Sequence, residues 1–375
     1  MTGDASADAL PLLLAGPILR RCTPERLTIW IATSAPVRAR LRLAPDAKPV
    51  EDGEPAVREF VLEPGTGGCR SLQAGTRLYF TLLDVALPSP LPNDRWIGYE
   101  LALQSIDPSA PRESSWTECT DAASGLCHDG ERSPGFVLPS RVASVLHGSC
   151  RKPHYPGRDG LARADRLVAQ LLSAATTDTG DSAGGLPAWP SALLLTGDQV
   201  YMDDVAGPTL RAIHGLVDRL GLPAEPLPGL HERGVASSAD LHAHPDGYYR
   251  RERLLPRRRR NRALIDVLFR GVEKPIFTTV NAHNHLVTLG EMLAMYLLAW
   301  SPVPWRLVDL EPPASLRPEH RERYARERAA LATFVEELPA VRRALAHLPV
   351  AMLFDDHDIT DDWNLSREWE QIAYG

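Results

Sequence analysis

Three apolar runs in this 375-residue chain each end in residues able to hold a metal, and that recurrence constrains the fold more than any other feature. Arg141–Leu146 runs into His147-Gly148-Ser149-Cys150, Ser191–Leu195 into Thr196-Gly197-Asp198, and Val350–Phe354 into Asp355-Asp356-His357-Asp358. Between the first two, Leu161–Ala175 has helical spacing, so the order is strand, helix, strand, the unit of a sheet covered by helices. Ligands bind beyond the carboxyl ends of the strands in such sheets. Cys150, Asp198 and Asp356, far apart in sequence, are therefore expected to converge on one edge. A long and mainly helical insertion, about 205–348, separates the second and third strands and includes Leu289–Trp300 and Pro318–His347.

Upstream the texture is all-β. Leu27–Ala32, Val37–Leu43, Leu78–Leu83 and Ile97–Leu103 alternate or run apolar between Gly, Pro and Asp turns, which predicts a sandwich of the immunoglobulin or fibronectin kind. The stretch 107–139 is poor in periodic apolar residues and reads as a linker or covering loop. A chain this long exceeds one ordinary core. The expected division is a β-sandwich with its linker over 1–140 and a helix-covered sheet domain over 141–375.

A 44% hydrophobic and 24% charged composition is that of a globular chain, and a net charge of −7 argues against a nucleic-acid partner. The basic cluster 251–262 reads as a solvated face, with an anion-attracting patch as the sharper alternative. No stretch approaches the roughly 18 apolar residues of a membrane span. The first sixteen residues lack the positive charge that precedes a secretory apolar run, and Arg20-Arg21 follows that run instead of leading one. Five cysteines without a CxxC pair fit a reducing compartment, so a cytoplasmic location is expected.

The most specific of the three strand ends is Gly197-Asp198-Gln199-Val200-Tyr201-Met202-Asp203-Asp204. Asp198 can bridge two cations, Tyr201 as phenolate is a hard oxygen ligand, and Gly197 permits close backbone approach. The plainer alternative makes Asp198 the cap of a following helix. At the third strand end a carboxylate beside an imidazole suits phosphate-ester hydrolysis, the imidazole protonating the leaving oxygen. Asp361, Asp362 and Asn364 add oxygen donors, and so many acids after an apolar strand are costly without cations. Cys150 is the most ambiguous: a small buried hydrophobe, a nucleophile or a thiolate ligand. The cysteine phosphatases with an Arg six positions on are excluded, since Pro156 stands there.

Ser149-Cys150, Gly197-Asp198-x-x-Tyr201 and Asp355-Asp356-His357-Asp358 together resemble the motifs of the PhoD-like (alkaline phosphatase D) branch of the metallophosphoesterases. Gly16–Arg20 with Ile29-Trp30 resembles the β-sandwich that precedes the catalytic domain in that branch. The resemblance implies an αββα sheet sandwich behind an immunoglobulin-like domain. It also implies hydrolysis of phosphate mono- or diesters through attack by a metal-bound hydroxide, with iron and calcium as cofactors. Cys150, Asp198 and Tyr201 would hold the iron-like cation, Asp356 and Asn364 would serve a second metal, His357 would assist the leaving group, and Arg151 would contact phosphate. The family's later histidine motifs have no counterpart in the 11 residues after Asn364 (375 − 364). The expectation is therefore an incomplete sheet, and the alternative is a truncated or degenerate non-catalytic homologue that binds a metal or a partner. His283 and His285 are expected to serve helix-end packing or capping.

Overall fold

Strands form where the alternation is cleanest. In the computed structural model, which describes residues 9–45, 57–107, 115–177, 189–254 and 282–361, β1 (Leu13–Thr23), β2 (Arg26–Thr33), β5 (Cys69–Gly75) and β6 (Leu78–Ala86) make one antiparallel sheet in the order β1-β2-β6-β5. A second antiparallel sheet runs β4 (Arg58–Leu62), β3 (Val37–Pro45), β7 (Trp96–Ser105), β8 (Thr117–Glu118), with β9 (Gly135–Val137) also on β7. The two sheets face one another over a shared core, in which Leu27, Ile29 and Leu83 of the first meet Leu41, Tyr99 and Leu101 of the second. β3 keeps its strict alternation because its arginines, Arg38, Arg40 and Arg42, lie on an outer, partly exposed face. β1 and β2 are buried along most of their length, since the outer face of their sheet packs on helices through Leu14, Ile18, Ala32 and Leu78.

The stretch 107–139 is not a linker over its described residues. It supplies β8 and β9 to the second sheet and buries Cys119, Leu126, Phe136 and Leu138. Strands of two or three residues are too short to carry a periodic signal.

The second half centres on a three-stranded parallel sheet, β10 (Leu146–Gly148), β11 (Leu193–Leu195) and β12 (Val350–Met352), in that order and in register. These strands are shorter than the apolar runs that announced them. Val142 stands 79% exposed ahead of β10, and Leu353 and Phe354 are 66% and 61% exposed beyond β12. Helices α1 (Gly160–Thr177), α2 (Gly207–Arg219), α4 (Leu289–Trp300) and α5 (Arg321–His347) join Leu193, Leu195 and Val350 in one core, while the short α3 (Ser238–Ala243) lies in the insertion. The other face of the sheet carries exposed His147, Leu194 and Ala351. No second sheet of an αββα sandwich is found among the described residues.

The two halves are bonded together. Tyr99 donates its hydroxyl hydrogen to Ala346 O at 2.8 Å, Arg342 Nε donates to Gly16 O at 2.7 Å, and the β5–β6 turn donates from Thr76 N to Gly221 O at 2.9 Å. Arg251, expected on a solvated face, is instead fully buried against Glu291; residues 255–262 of the basic cluster lie outside the described residues. Helix α4 starts with a capping box between Thr288 and Glu291. His283 stacks on Tyr249 and bonds Arg323, and His285 is buried with Nδ1 on Leu286 O, so both pack near this helix end without capping it.

Candidate metal centre

Parallel pairing in register brings three strand ends to the same edge of the sheet. The loops beyond them are then laced together. Thr196 N donates to Gly148 O at 3.1 Å, Cys150 N to Gly197 O at 3.2 Å, Arg151 N to Asp198 O at 2.7 Å, and Leu353 N to Leu195 O at 2.8 Å. Asp358 is the keystone: its buried carboxylate accepts from Asp198 N (2.8 Å), Val200 N (3.1 Å) and Asp355 N (3.0 Å). An acid after the strand thus serves to fix the neighbouring loop.

Backbone conformation at the site is unusual. Cys150 and Asp198 both have left-handed φ values, 54° and 53°. Non-glycine residues in that region store strain that the surroundings must hold in place, and such residues cluster at functional sites. At Gly197 φ is +128°, and a Cβ there would lie 2.4 Å from Asp355 Cβ. Only glycine lets the second and third strand ends approach so closely.

Cys150, Asp198, Tyr201, Asp356 and His357 are brought together. Cys150 Sγ lies 3.3 Å from Asp198 Oδ2, and Cys150 and Asp198 are both close enough to the Tyr201 phenol to raise its pKa. One ligand atom each from Asp198, Asp356 and His357 lies within 4.8 Å of the others. The His357 ring stacks on Tyr201 with centroids 4.5 Å apart. Asp198 is not a helix cap, since no helix begins at that point. Asn364 and Asp362 lie outside the described residues.

The donor set fits a cation. Asp198 Oδ1 is buried and has no hydrogen-bond partner among the described residues. Burial pushes the Asp198 carboxyl above its ordinary value; the Cys150 hydrogen bond and the His357 charge only partly offset this. Burial likewise pushes the Tyr201 phenol up, and the nearby Cys150 and Asp198 add to it. A bound cation would reverse both directions, because an opposite charge at contact favours the ionised form. Thiolate, carboxylate and phenolate together suit a hard to borderline metal.

Arg151 sits elsewhere. Its Nε donates to Asp159 Oδ2 at 2.7 Å and Nη1 to Ala299 O at 2.7 Å, while the guanidinium lies over the Trp300 and Phe334 rings at 5.0 and 4.7 Å. It ties the first strand end to helices α4 and α5.

Several residues had no role in the sequence reading. Asp203 grips His357 Nδ1 at 2.8 and 3.0 Å, which leaves Nε2 as the nitrogen that can meet a ligand. Burial pulls the His357 imidazole down, but the charge and hydrogen bond of Asp203 outweigh it and the net shift is upward. Asp204 pairs with Lys152 and, at 3.4 Å, with His154 Nε2. Burial pushes Asp204 up, and these two bases more than offset it, holding its carboxyl at about 2. The signal for both acids was the Asp203-Asp204 doublet immediately after the Tyr201 motif.

No family model matches the chain, and no curated protein matches it in sequence. Among solved structures, one of PhoD is similar over 98% of this chain and 44% of its own, at 10% identity and a TM-score of 0.36. This chain thus spans less than half the length of that protein. A family 9 carbohydrate binding module from Caldicellulosiruptor kristjanssonii, in complex with glucose, covers 38% of this chain at 12% identity, 91% of its own length and a TM-score of 0.22. At these scores neither likeness identifies the fold or the chemistry.

Proposed function

We propose that the chain is a metal-dependent phosphoesterase of the PhoD-like kind, acting on phosphate mono- or diesters. The observation that carries this reading is the meeting of Cys150, Asp198, Tyr201, Asp356 and His357 from three strand ends, with His357 held by a buried carboxylate. The motif resemblance agrees with it.

Cys150, Asp198 and Tyr201 would hold an iron-like cation, and Asp356 would face a second one, for which calcium is the family's choice. When bound, such cations lower the pKa of water and neutralise charge on phosphoryl oxygens. The chain's own residues do the rest. Asp203 keeps the proton on His357 Nδ1 and raises the ring's basicity, which leaves Nε2 as the nitrogen that would pass a proton to a leaving oxygen. Asp358 holds the Asp198 loop so that its carboxylate need not reorganise when a cation enters. Strand-end packing around Gly197 fixes the spacing between the Asp198 and Asp355 loops.

The test is hydrolysis of p-nitrophenyl phosphate and its bis-ester by protein supplied with iron and calcium. Activity is expected, with Asp198→Ala and His357→Ala each lowering kcat by at least about 100-fold. Full activity in either variant would contradict the assignment. A second reading, a non-catalytic metal binder, is favoured by the single imidazole grouped with Asp198 among the described residues. It predicts stoichiometric metal uptake with neither ester cleaved.

A further inference from the structure

Arg151, the cation expected to meet phosphate, is engaged by Asp159, a main-chain carbonyl and two ring faces. The cation beside the candidate centre is its neighbour. The Lys152 ammonium lies 5.6 Å from the centre of the Tyr201 ring, the same ring that His357 stacks on. One oxygen of the buried Asp204 carboxylate takes Lys152, and the other faces His154 Nε2. The Lys152 side chain keeps 25% of its surface exposed. An ammonium has three N–H donors in tetrahedral array, so an ion pair with one carboxylate oxygen leaves donors for a ligand arriving from solvent.

Charge makes this cation matter. Asp198, Asp203, Asp355, Asp356, Asp358 and Asp361 crowd the same loops, and among the described residues Lys152 is the lysine placed among them. Like charges repel an incoming anion in proportion to its charge. A phosphate monoester near neutral pH carries about one more negative charge than a diester, because its second pKa lies near 6. A fixed ammonium at the rim therefore favours the monoester.

We infer that Lys152, anchored by Asp204 and braced by His154, binds a terminal phosphoryl oxygen and makes the centre discriminate for monoesters over diesters. This rests on the phosphoesterase reading above. Lys152 touches substrate in this account; Asp204 is a positioning residue that acts through it.

The experiment compares wild type, Lys152→Ala, Lys152→Arg and Asp204→Asn, all metal-loaded, on p-nitrophenyl phosphate and bis(p-nitrophenyl) phosphate. Binding of inorganic phosphate is measured in parallel by calorimetric titration. Lys152→Ala is expected to lower kcat/KM for the monoester on the order of 10- to 100-fold, mostly through KM, and that for the diester by less than about 3-fold. Phosphate affinity should fall with the monoester value. Lys152→Arg should restore most of both, and Asp204→Asn should fall between. Equal losses on the two esters would mark the Lys152–Asp204 pair as structural and overturn the inference, as would undiminished phosphate affinity in Lys152→Ala. If wild type cleaves neither ester, the phosphoesterase reading fails, and the phosphate titration alone decides for or against the anion site. Wild type that binds no phosphate overturns the inference too.

Discussion

Gly197 sits at the narrowest point of the site, and its substitution is the most exacting change a single methyl can make there. A Cβ 2.4 Å from Asp355 Cβ, at φ +128°, cannot be accommodated without moving one strand end off the other. Gly197→Ala is expected to cost about 2–4 kcal/mol and to weaken metal binding as well. Urea unfolding with a parallel metal titration checks both effects, and unchanged values would show the loops to be looser than described. Asp198 gives a pH dependence of its own. Burial raises its folded carboxyl above the ordinary 3.8, so the folded state holds a proton that the unfolded state has already lost. For an acid shifted upward, stability falls as pH rises from that ordinary value through the raised one. The metal-free protein should therefore lose thermal stability over this window. Metal loading should flatten the curve, because the cation and the proton compete for one carboxylate. Melting curves of both forms across about pH 4–7 measure it. At this scale Gly197, Asp198, Tyr201 and His357 were legible in sequence because each sits at a strand end beside an apolar run. Asp203 and Lys152 were not assigned roles, since nothing local tells which of several adjacent charges turns toward its neighbour.

Among the elements, helix α4 is the one whose start is most strongly determined. Thr288 and Glu291 form its capping box, and the same Glu291 carboxylate meets Arg251 at 2.5 Å and lies 3.3 Å from both His214 and His242. His214 is held neutral, its pKa pulled down to about 3 chiefly by burial. The cluster is thus one buried ion pair with the His214 and His242 rings packed around it. Removing one partner of such a pair leaves an uncompensated charge, so Glu291→Gln should cost about 3–5 kcal/mol, against roughly 1 kcal/mol for Thr288→Ala, which loses only the cap. Chemical denaturation of the two variants checks the contrast, and equal effects would mean that Arg251 finds another partner. Element type was readable from periodicity in α1, α4, β3 and β7. Element length was not: the strands of the parallel sheet span three residues each, while the apolar run of the third goes on through Leu353 and Phe354, which are largely exposed. β8 and β9 escaped notice because two or three residues form a strand only when a longer neighbour, here β7, offers its edge.

Across the whole molecule, the sandwich and the helix-covered sheet share one hydrophobic core, in which Leu14, Ile18 and Ala32 meet Val168, Leu338 and Leu345. That shared core explains why β1 and β2 are buried along most of their length, and it seats the sandwich against the layer that carries the strand-end loops. The account stands on those loops forming a metal centre around Asp198. The most direct measurement is metal content per chain by mass spectrometry, after dialysis of metal-stripped protein against ferric, manganese, zinc and calcium ions. Wild type is predicted to retain at least about one cation per chain, and Asp198→Ala to lose it while keeping its fold. A wild-type chain that retains no metal, or an Asp198→Ala chain that retains as much, would contradict the central claim.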